Sequence, residues 1–454
     1  MSTLRSLAAA CSLLFVALWL TLFVSGANDH LAASGSLLVR PRVLFIPFSA
    51  LYLLMLLVWL YATQGWILLV KTFRDNVFVI GGFAALALVS LLWSQMRNAY
   101  WHDGAIYILL PSYSFMVFAL ACTIPLIAPC RRYWQIFFLM PLIVLLVTLA
   151  IDITNPGTFG RINARAAGFL ENSNQAAYAT AALCAMLIQY RKINILNTSL
   201  MIICGFAIFS TFSRGGMLCF ILLTAIYVSS IRIQINFKNI LLLGTCGVLL
   251  LGAILFAAPH IVGKAEMFSS RGAQSRMEMF AFEKSLDDSS IKSRQDLIVD
   301  AVEQIKRAPI LGHGTGYSRF APVAPHNMYL TLWMELGIVG LGLYVWILVA
   351  GYRLFSERDF WPGKALILVV AVQSLFSHTV LQEFQFLIGY GFLLTLSWFN
   401  AHGPAEMRVR QRRHRRSSRG EAVGSRGRRA HVRGTATRLA RRELSGASPR
   451  GSVE

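Results

Sequence analysis

The chain alternates between long runs of apolar residues and short polar breaks. A helix that crosses the hydrocarbon core of a bilayer needs about 20 predominantly apolar residues, so the runs predict about twelve such helices. We therefore expect an all-α polytopic membrane protein. The predicted spans are 8–26, 43–63, 77–95, 105–128, 134–153, 173–190, 196–212, 215–231, 239–258, 327–352, 365–382 and 384–400.

The number of Lys and Arg residues in the short loops predicts the orientation of these spans. If the N-terminus is cytoplasmic, the loops inside carry twelve Lys and Arg and the loops outside carry six. Cytoplasmic loops are enriched in both residue types, so both termini are expected in the cytoplasm. The arginines of the outer loops are exceptions to this bias, and their position needs a separate explanation. They are Arg40, Arg42, Arg97, Arg161, Arg165 and Arg214.

One long loop, 259–326, separates the ninth and tenth spans and is expected to lie outside. Within it, apolar residues recur at helical spacing from Leu297 to Ile305, with charged residues between them. This pattern predicts an amphipathic helix that packs at the membrane surface. Pro309 ends the helix, and a glycine-rich turn follows before the chain re-enters the membrane.

Composition supports the membrane assignment and sets the C-terminal tail apart. Of the 454 residues, 56% are hydrophobic and 14% are charged, whereas soluble globular proteins carry about 25% charged residues. This composition excludes an ordinary soluble enzyme, a disordered chain and a fibrous protein. Residues 1–401 are expected to form the transmembrane domain, and residues 402–454 a disordered cytoplasmic tail.

The tail holds fifteen Arg and four Glu, a large part of the net charge of +21. Such a charge could bind nucleic acid. Contact with the anionic lipids of the inner leaflet fits better, because the chain is already held at the membrane. We expect membrane lipids, and no nucleic acid, as partners of the tail.

The sequence offers little for a metal or another cofactor. The seven cysteines lie in or beside apolar runs without a CxxC pair, so they are interpreted as small packing residues. No HExxH motif is present, and the pair Asp287–Asp288 sits in a polar stretch that solvates the loop. We therefore expect chemistry that needs neither metal nor cofactor.

Unusual polar residues gather in four segments of the expected outer face. Without a metal, an anionic leaving group must be neutralised by side chains, which the arginines there can do. The segments are Phe159–Gly168 with Glu171–Gln175, Ser213–Gly216, Ser293–Arg294 and Pro325–Asn327.

Three arginines of these segments are candidates for binding a phosphate or pyrophosphate. Arg161 and Arg165 are four residues apart and share one face if they lie on a helix. Two guanidinium groups suit a pyrophosphate better than two ammonium groups would. Arg214 sits at a tight turn beside Gly215, which permits close approach of a ligand. The alternatives are loop solvation, lipid-headgroup contact and an interfacial anchor.

His326 is the candidate general base. A neutral imidazole at the membrane mouth could take a proton from a hydroxyl nucleophile near neutral pH. The alternative is a structural histidine, and His313 competes for the role on similar grounds. His30 and His102 lie in other outer loops without supporting context.

Together, these segments resemble the O-antigen ligase family of bacterial envelope glycosyltransferases over about residues 75–400. Each motif alone is weak, but their order, spacing and membrane placement agree. The resemblance does not separate ligases from O-antigen polymerases or O-linked protein oligosaccharyltransferases. The motifs are Arg165-x-x-Gly168 with Asn172-x-Asn174, Ser213-Arg214-Gly215, Arg294 before Pro309-Ile-Leu-Gly312-x-Gly314, His326-Asn327-Met-Tyr329, and Glu335-Leu-Gly337-Ile-Val-Gly340.

The resemblance implies a metal-independent, inverting transfer of a glycan from undecaprenyl pyrophosphate to a hydroxyl on the periplasmic side of the inner membrane. For a ligase, the acceptor is the lipid A–core oligosaccharide. Arg214 and Arg294 then look like the essential arginines and His326 like the base. The assignment of Arg161 to the site rests only on its spacing of four residues from Arg165. Residues expected to bind substrate are Arg161, Arg165, Asn172, Asn174 and Asn327.

Two other functions stay open at this point. A polysaccharide polymerase would use the same donor but a second lipid-linked glycan as acceptor. A transporter or lipid flippase should instead carry charged residues, or breaks at glycine and proline, near the middle of several spans. The unusual polar residues gather at one face here, which favours an enzyme.

Overall fold

A computed structural model describes residues 2–33, 41–63, 65–93, 110–160, 165–231, 289–320 and 325–402. These residues form α-helices and three short 3₁₀ turns, and no strand occurs among them. The helices are α1 (Ser2–Val24), α2 (Ala27–Ala33), α3 (Pro41–Thr63), α4 (Trp66–Asp75), α5 (Val77–Leu92), α6 (Leu110–Thr123), α7 (Ala128–Arg132), α8 (Trp134–Thr154), α9 (Ser173–Leu187), α10 (Ile195–Ser210), α11 (Arg214–Ser230), α12 (Ser289–Arg307), α13 (Tyr317–Phe320), α14 (Met328–Glu357), α15 (Trp361–Gln373) and α16 (Phe384–His402).

The chain divides into two compact units, Met1–Ser397 and Trp398–Glu454. The first unit contains all the helices except the last turn of α16. Of the second unit the structure describes 398–402, which continue that helix. The expected boundary near residue 401 and the character of the tail stay predictions.

Helices occupy the predicted apolar runs wherever the structure describes them. The ninth run, 239–258, and half of the loop 259–326 lie outside the described residues. The eleventh run differs from its predicted range, because α15 ends at Gln373 and not at residue 382. A 3₁₀ turn, Val380–Gln382, precedes α16. The polar residues of this stretch end the helix early, and they return below as part of the site.

Two of the described helices, Trp134–Thr154 and Met328–Glu357, are long and apolar enough to cross a membrane. A third candidate is the pair Phe45–Tyr61 and Trp66–Asp75, which is bent by 112°. Six further apolar helices have 10–17 residues, and at 1.5 Å per residue they fall short of the roughly 30 Å hydrocarbon core. The structure thus has the apolar helices of a membrane protein, and the total of twelve spans stays a prediction.

Apolar residues also cover the outer surfaces of these helices. On α3, Leu51, Leu54 and Val58 are exposed by 53%, 60% and 61%. A helix that is apolar on its exposed face as well as its buried face is typical of a membrane span.

The core of the bundle is built around α9, which packs against α8, α10, α11 and α15. Small residues let helix backbones approach closely, and α9 is rich in buried alanines, including Ala176, Ala179 and Ala182. A second group forms where α14 packs against α5, α12 and α15.

Hydrogen bonds tie the loops together at two opposite ends of the bundle. At one end, the amide of Met328 donates to the carbonyl of Ser374 at 2.8 Å. At the other, the Arg358 guanidinium donates to the carbonyls of Asp75 and Leu394 at 3.3 and 3.1 Å. Since α14 joins these ends and its part beyond Gly337, residues 338–357, alone rises by roughly 30 Å, the ends are far apart. The described parts of the loops predicted outside lie at the Met328 end, which we name the site end.

Candidate active site

A single buried carboxylate shapes the loop that follows α8. Asp152, 1% exposed, accepts hydrogen bonds from the amides of Phe159 and Gly160 at 2.8 and 3.4 Å. Its other oxygen accepts from the amides of Ala167 and Gly168, both at 2.9 Å. The loop therefore closes around Asp152, and the two ends of the segment that contains Arg161 and Arg165 are held side by side.

Arg165 connects this loop to two other segments of the site end. Its Nε donates to the carbonyl of Thr211 at 2.8 Å, and its Nη2 donates to Oδ1 of Asn174 at 2.7 Å. The amide of Ala166 also donates to the carbonyl of Ser210 at 3.3 Å. The structure thus brings Arg165, Asn174 and the approach to Arg214 together, and their expected role in substrate binding stays a prediction. Arg161 lies outside the described residues.

Arg214 is the first residue of α11 and is exposed. Ser213 caps the helix, with its hydroxyl accepting from the amide of Gly216 at 3.2 Å. A Cβ built on Gly215 would overlap the hydroxyl of Tyr178 and lie 3.1 Å from the Cβ of Phe376. Glycine is therefore needed for α11 to begin this close to α9 and to the connection after α15, and it places Arg214 at the rim of that junction.

The predicted amphipathic helix is present as α12, and its buried face includes Ala301 and Ile305. Arg294 lies in its first half, and its side chain is not among those described. The helix ends at Arg307, two residues before Pro309, and the amide of Gly314 then donates to the carbonyl of Glu335 at 2.8 Å.

The turn after α12 docks onto a break in α14. Gly337 leaves the helical conformation with φ 65° and ψ −162°, and a Cβ there would overlap the carbonyl of Ile310. The amide of Ile338 donates to the carbonyl of Pro309 at 3.0 Å. The two glycine motifs of the sequence therefore meet in space. His313, the rival base, is held here, with its ring nitrogen 2.8 Å from the carbonyl of Gln304.

His326 is exposed just before α14, next to a second histidine that the sequence analysis missed. The ring centroids of His326 and His378 lie 5.2 Å apart. Asn327 caps α14, with its side chain accepting from the amide of Leu330 at 3.1 Å. Asn172 caps α9 in the same way, accepting from the amide of Asn174 at 2.9 Å. Both asparagines thus have a structural contact, and their expected role in substrate binding stays a prediction.

His378 belongs to the polar connection between α15 and α16. Within it, Glu383 accepts a hydrogen bond from the amide group of Gln373 and another from the Thr379 hydroxyl at 3.1 Å. Burial raises the pKa of the Glu383 carboxyl to about 7. The signal for this site was in the sequence, because polar residues interrupt the run 365–382 that was assigned to one apolar span, and Glu383 follows directly after it. The interrupting residues are Gln373, Ser374, Ser377, His378, Thr379 and Gln382.

His30 also acquires a setting that the sequence did not reveal. Its ring lies 5.0 Å, centroid to centroid, from each of Phe159 and Phe169. Its Nδ1 lies 3.9 Å from the carboxylate of Glu171. The short helix α2 therefore covers the loop that Asp152 holds.

The described cysteines are free and buried at positions 122, 130, 184, 204 and 219. They pack within the helix bundle, which agrees with their interpretation as small packing residues. In the part of the chain that the structure describes, no group of three His, Cys, Asp or Glu side chains is placed to hold a metal ion.

The fold and the site together define the class: an α-helical protein with apolar helices of membrane-spanning character, and with arginine and histidine side chains gathered at one end. Residues 199–345 match the family model described as O-antigen ligase. The resemblance to the O-antigen ligase family that the motifs predicted is therefore confirmed on this segment, which is less than half of the chain. It contains Arg214, Arg294 and His326. No curated protein matches the chain.

Proposed function

We propose that this protein is an O-antigen ligase. It transfers an O-antigen glycan from undecaprenyl pyrophosphate to the lipid A–core oligosaccharide, as a metal-independent inverting glycosyltransferase. The observation that carries the proposal is one of geometry. Two motifs of the matched family segment, Ser213–Gly215 and His326–Asn327, both meet the connection between α15 and α16, through Phe376 and His378 respectively.

Arg214 binds the pyrophosphate in this proposal. It is exposed at the N-terminus of α11, where the helix dipole adds to the positive charge of the guanidinium. Arg165 fixes the position of Arg214 through Thr211 and extends the positive surface. We include in this cluster Arg161, which is four residues before Arg165 in the sequence, and Arg294 of α12. As the glycosidic bond breaks, this charge stabilises the pyrophosphate that leaves.

His326 acts as the general base. Its neutral imidazole accepts the proton of the acceptor hydroxyl while that oxygen attacks the anomeric carbon of the donor. One bond forms between the acceptor oxygen and the anomeric carbon, and the bond from that carbon to the pyrophosphate oxygen breaks. Since the attack comes from the face opposite the leaving group, a single displacement inverts the anomeric configuration.

The site end faces the periplasm in this proposal, and both termini lie in the cytoplasm. The support is the excess of Lys and Arg in the loops of the opposite end, which include Arg131, Arg191 and Arg358. Cysteine substitutions at Ser289 and Ser417 test it with a membrane-impermeant thiol reagent on intact spheroplasts, in a background without accessible cysteines. Labelling at 289 only is expected, and equal labelling at both positions would reject this topology.

The decisive experiment reconstitutes the purified chain in liposomes with lipid-linked O-antigen and lipid A–core, without nucleotide and with a chelator. Glycan attached to lipid A–core is the expected product. Lengthened lipid-linked glycan would identify a polymerase instead, and glycan on an added protein an oligosaccharyltransferase. Movement of the donor across the bilayer without a new bond would identify a transporter.

A further inference from the structure

A pocket opens at the site end between α5, α6 and α14, and no role has yet been given to it. Its walls are completed by the segment Thr315–Ser318 and by the connection after α15, including His378. The space between the walls, with the open mouth, is about 570 Å³. Its lining combines apolar side chains with the polar groups of Ser90, Thr315 and Glu335, a mixture that is usual in pockets for small organic ligands.

The pocket follows one face of α14 inward from the histidine pair. Met328, Thr331, Leu332, Glu335 and Leu336 line it, and their spacing of three and four residues places them in one stripe of the helix. From Met328 to Glu335 the helix rises by roughly 10 Å. The pocket therefore begins beside His378, near the expected reaction centre, and reaches a carboxylate about two helical turns deeper.

The carboxylate of Glu335 is held in place by its neighbours. Its Oε1 accepts hydrogen bonds from the hydroxyl and the amide of Ser318, the latter at 3.3 Å. Because α14 breaks at Gly337 just beyond it and the turn after α12 docks there, the backbone around Glu335 is also fixed. A fixed carboxylate is a strong acceptor for hydroxyl groups.

Ser90 provides an independent observation. It lines the pocket and is completely buried, and among the residues that the structure describes none hydrogen-bonds to its hydroxyl. Its carbonyl, by contrast, accepts from the Thr315 hydroxyl at 2.7 Å. A buried hydroxyl without a partner is costly in a purely structural wall. A polar ligand in the pocket would supply that partner.

We propose that this pocket is a subsite for one sugar ring at the reacting end of a glycan, with Glu335 and Ser90 hydrogen-bonding to its hydroxyl groups. The apolar residues Leu86, Leu332 and Leu336 face the less polar surfaces of the ring. The assignment rests on the proposed function, which places the reaction beside His326. The ring belongs either to the lipid-linked donor or to the core acceptor, and the two sources share the same chemistry.

The test measures kcat and KM for each glycan in the liposome assay with Ser90→Ala and Glu335→Gln. Gln keeps an acceptor for Ser318 and removes the charge. A KM higher by about 2–10-fold for Ser90→Ala and roughly tenfold or more for Glu335→Gln is expected, for one of the two glycans and with kcat largely kept. A rise for the donor alone assigns the ring to the donor, and a rise for the acceptor alone assigns it to the acceptor.

Ser114→Ala is the matched control. Ser114 lines the same pocket, but its hydroxyl donates to the carbonyls of Leu110 and Leu381. It should lower thermal stability without raising either KM. Unchanged KM values in both Ser90→Ala and Glu335→Gln would overturn the proposal, as would an equal rise for donor and acceptor.

Direct binding separates this proposal from the proposed function. The probes are the oligosaccharide repeat released from the donor and the core oligosaccharide released from the acceptor, observed by saturation-transfer NMR on the full chain. One of them should bind the wild type and not Ser90→Leu, which fills the pocket. This result stands even if no transfer product forms, in which case only the proposed function fails. Binding of undecaprenyl phosphate in the pocket, with neither oligosaccharide bound, would overturn the sugar subsite.

Discussion

His326 and His378 lie with their ring centroids 5.2 Å apart, one just before α14 and the other in the connection after α15. The proposed base therefore has a second imidazole within reach, either directly or through one water. A proton taken from the acceptor hydroxyl by His326 can be shared with His378. Substitutions at the two positions should consequently differ in their effect on the rate.

His326→Gln should lower the transfer rate by about 10²–10⁴-fold at saturating donor, because Gln hydrogen-bonds but cannot act as a base. His378→Gln should cost less, about tenfold, since it removes only the neighbour. Initial rates in the liposome assay measure both.

His313→Gln serves as the control for the histidine pair, because the His313 ring contacts the carbonyl of Gln304 and stacks on Tyr317. Its rate should stay within a few fold of the wild type. If the rate of His326→Gln stays within a few fold of the wild type and His313→Gln loses activity instead, His313 is the base.

Arg214→Lys should lose most of the activity although the charge is kept. A guanidinium can donate two parallel hydrogen bonds to phosphate oxygens, and an ammonium group cannot reproduce that geometry. Arg191→Lys is the matched control, because Arg191 forms an exposed ion pair with Asp359 at the opposite end. Turnover of Arg214→Lys close to that of Arg191→Lys would reduce Arg214 to an electrostatic anchor.

Asp152→Asn should loosen the loop that carries Arg165. The carboxylate accepts four backbone hydrogen bonds, and an amide turns its NH₂ group toward two of the donors. A loss of about 3 kcal/mol in stability is expected, with a fall in activity of more than tenfold. Denaturant or thermal unfolding in detergent measures the loss of stability, and the liposome assay measures the activity.

The control for Asp152 is Asp359→Asn, which removes an exposed ion pair at a cost of about 1 kcal/mol or less. Equal destabilisation by both substitutions would show that the four amide contacts do not organise the loop.

The apolar pattern of the sequence predicted the helices well, because the burial of a helix in lipid or protein needs only residue type and length. It failed at residues 374–382, where polar residues inside an apolar run mark a connection between two helices. Neither Asp152 nor the partner of His326 was predicted. Each depends on contacts between residues well separated in the sequence, such as those of Gly168 with Asp152 and of His378 with His326, and hydropathy carries no information about such contacts.

Two of the glycines of α14 allow a test of the break in this helix. Gly337→Ala should destabilise the protein by about 3 kcal/mol or more. The backbone at position 337 has a φ of 65°, and the Cβ of an alanine there would overlap the carbonyl of Ile310. Gly342→Ala is the control on the same helix, where a Cβ meets no atom within 4 Å. It should be neutral or stabilising by up to about 1 kcal/mol. Similar melting temperatures for the two variants would argue against the docked turn.

Glu383 should make the stability of the site end depend on pH. Burial raises the pKa of its carboxyl from 4.5 to about 7, so the folded chain holds this proton more tightly than the unfolded chain does. The stabilisation from the protonated group is fully present below pH 4.5 and is lost as the pH rises through about 7. This stabilisation is on the order of 3 kcal/mol.

The melting temperature of the wild type should fall between about pH 5 and about pH 8 relative to Glu383→Gln, which stays neutral and keeps a hydrogen-bonding group for Gln373 and Thr379. Glu357→Gln, which removes an exposed carboxylate at the opposite end, should keep the slope of the wild type. If the difference between wild type and Glu383→Gln does not change with pH, Glu383 is already ionised in the folded protein.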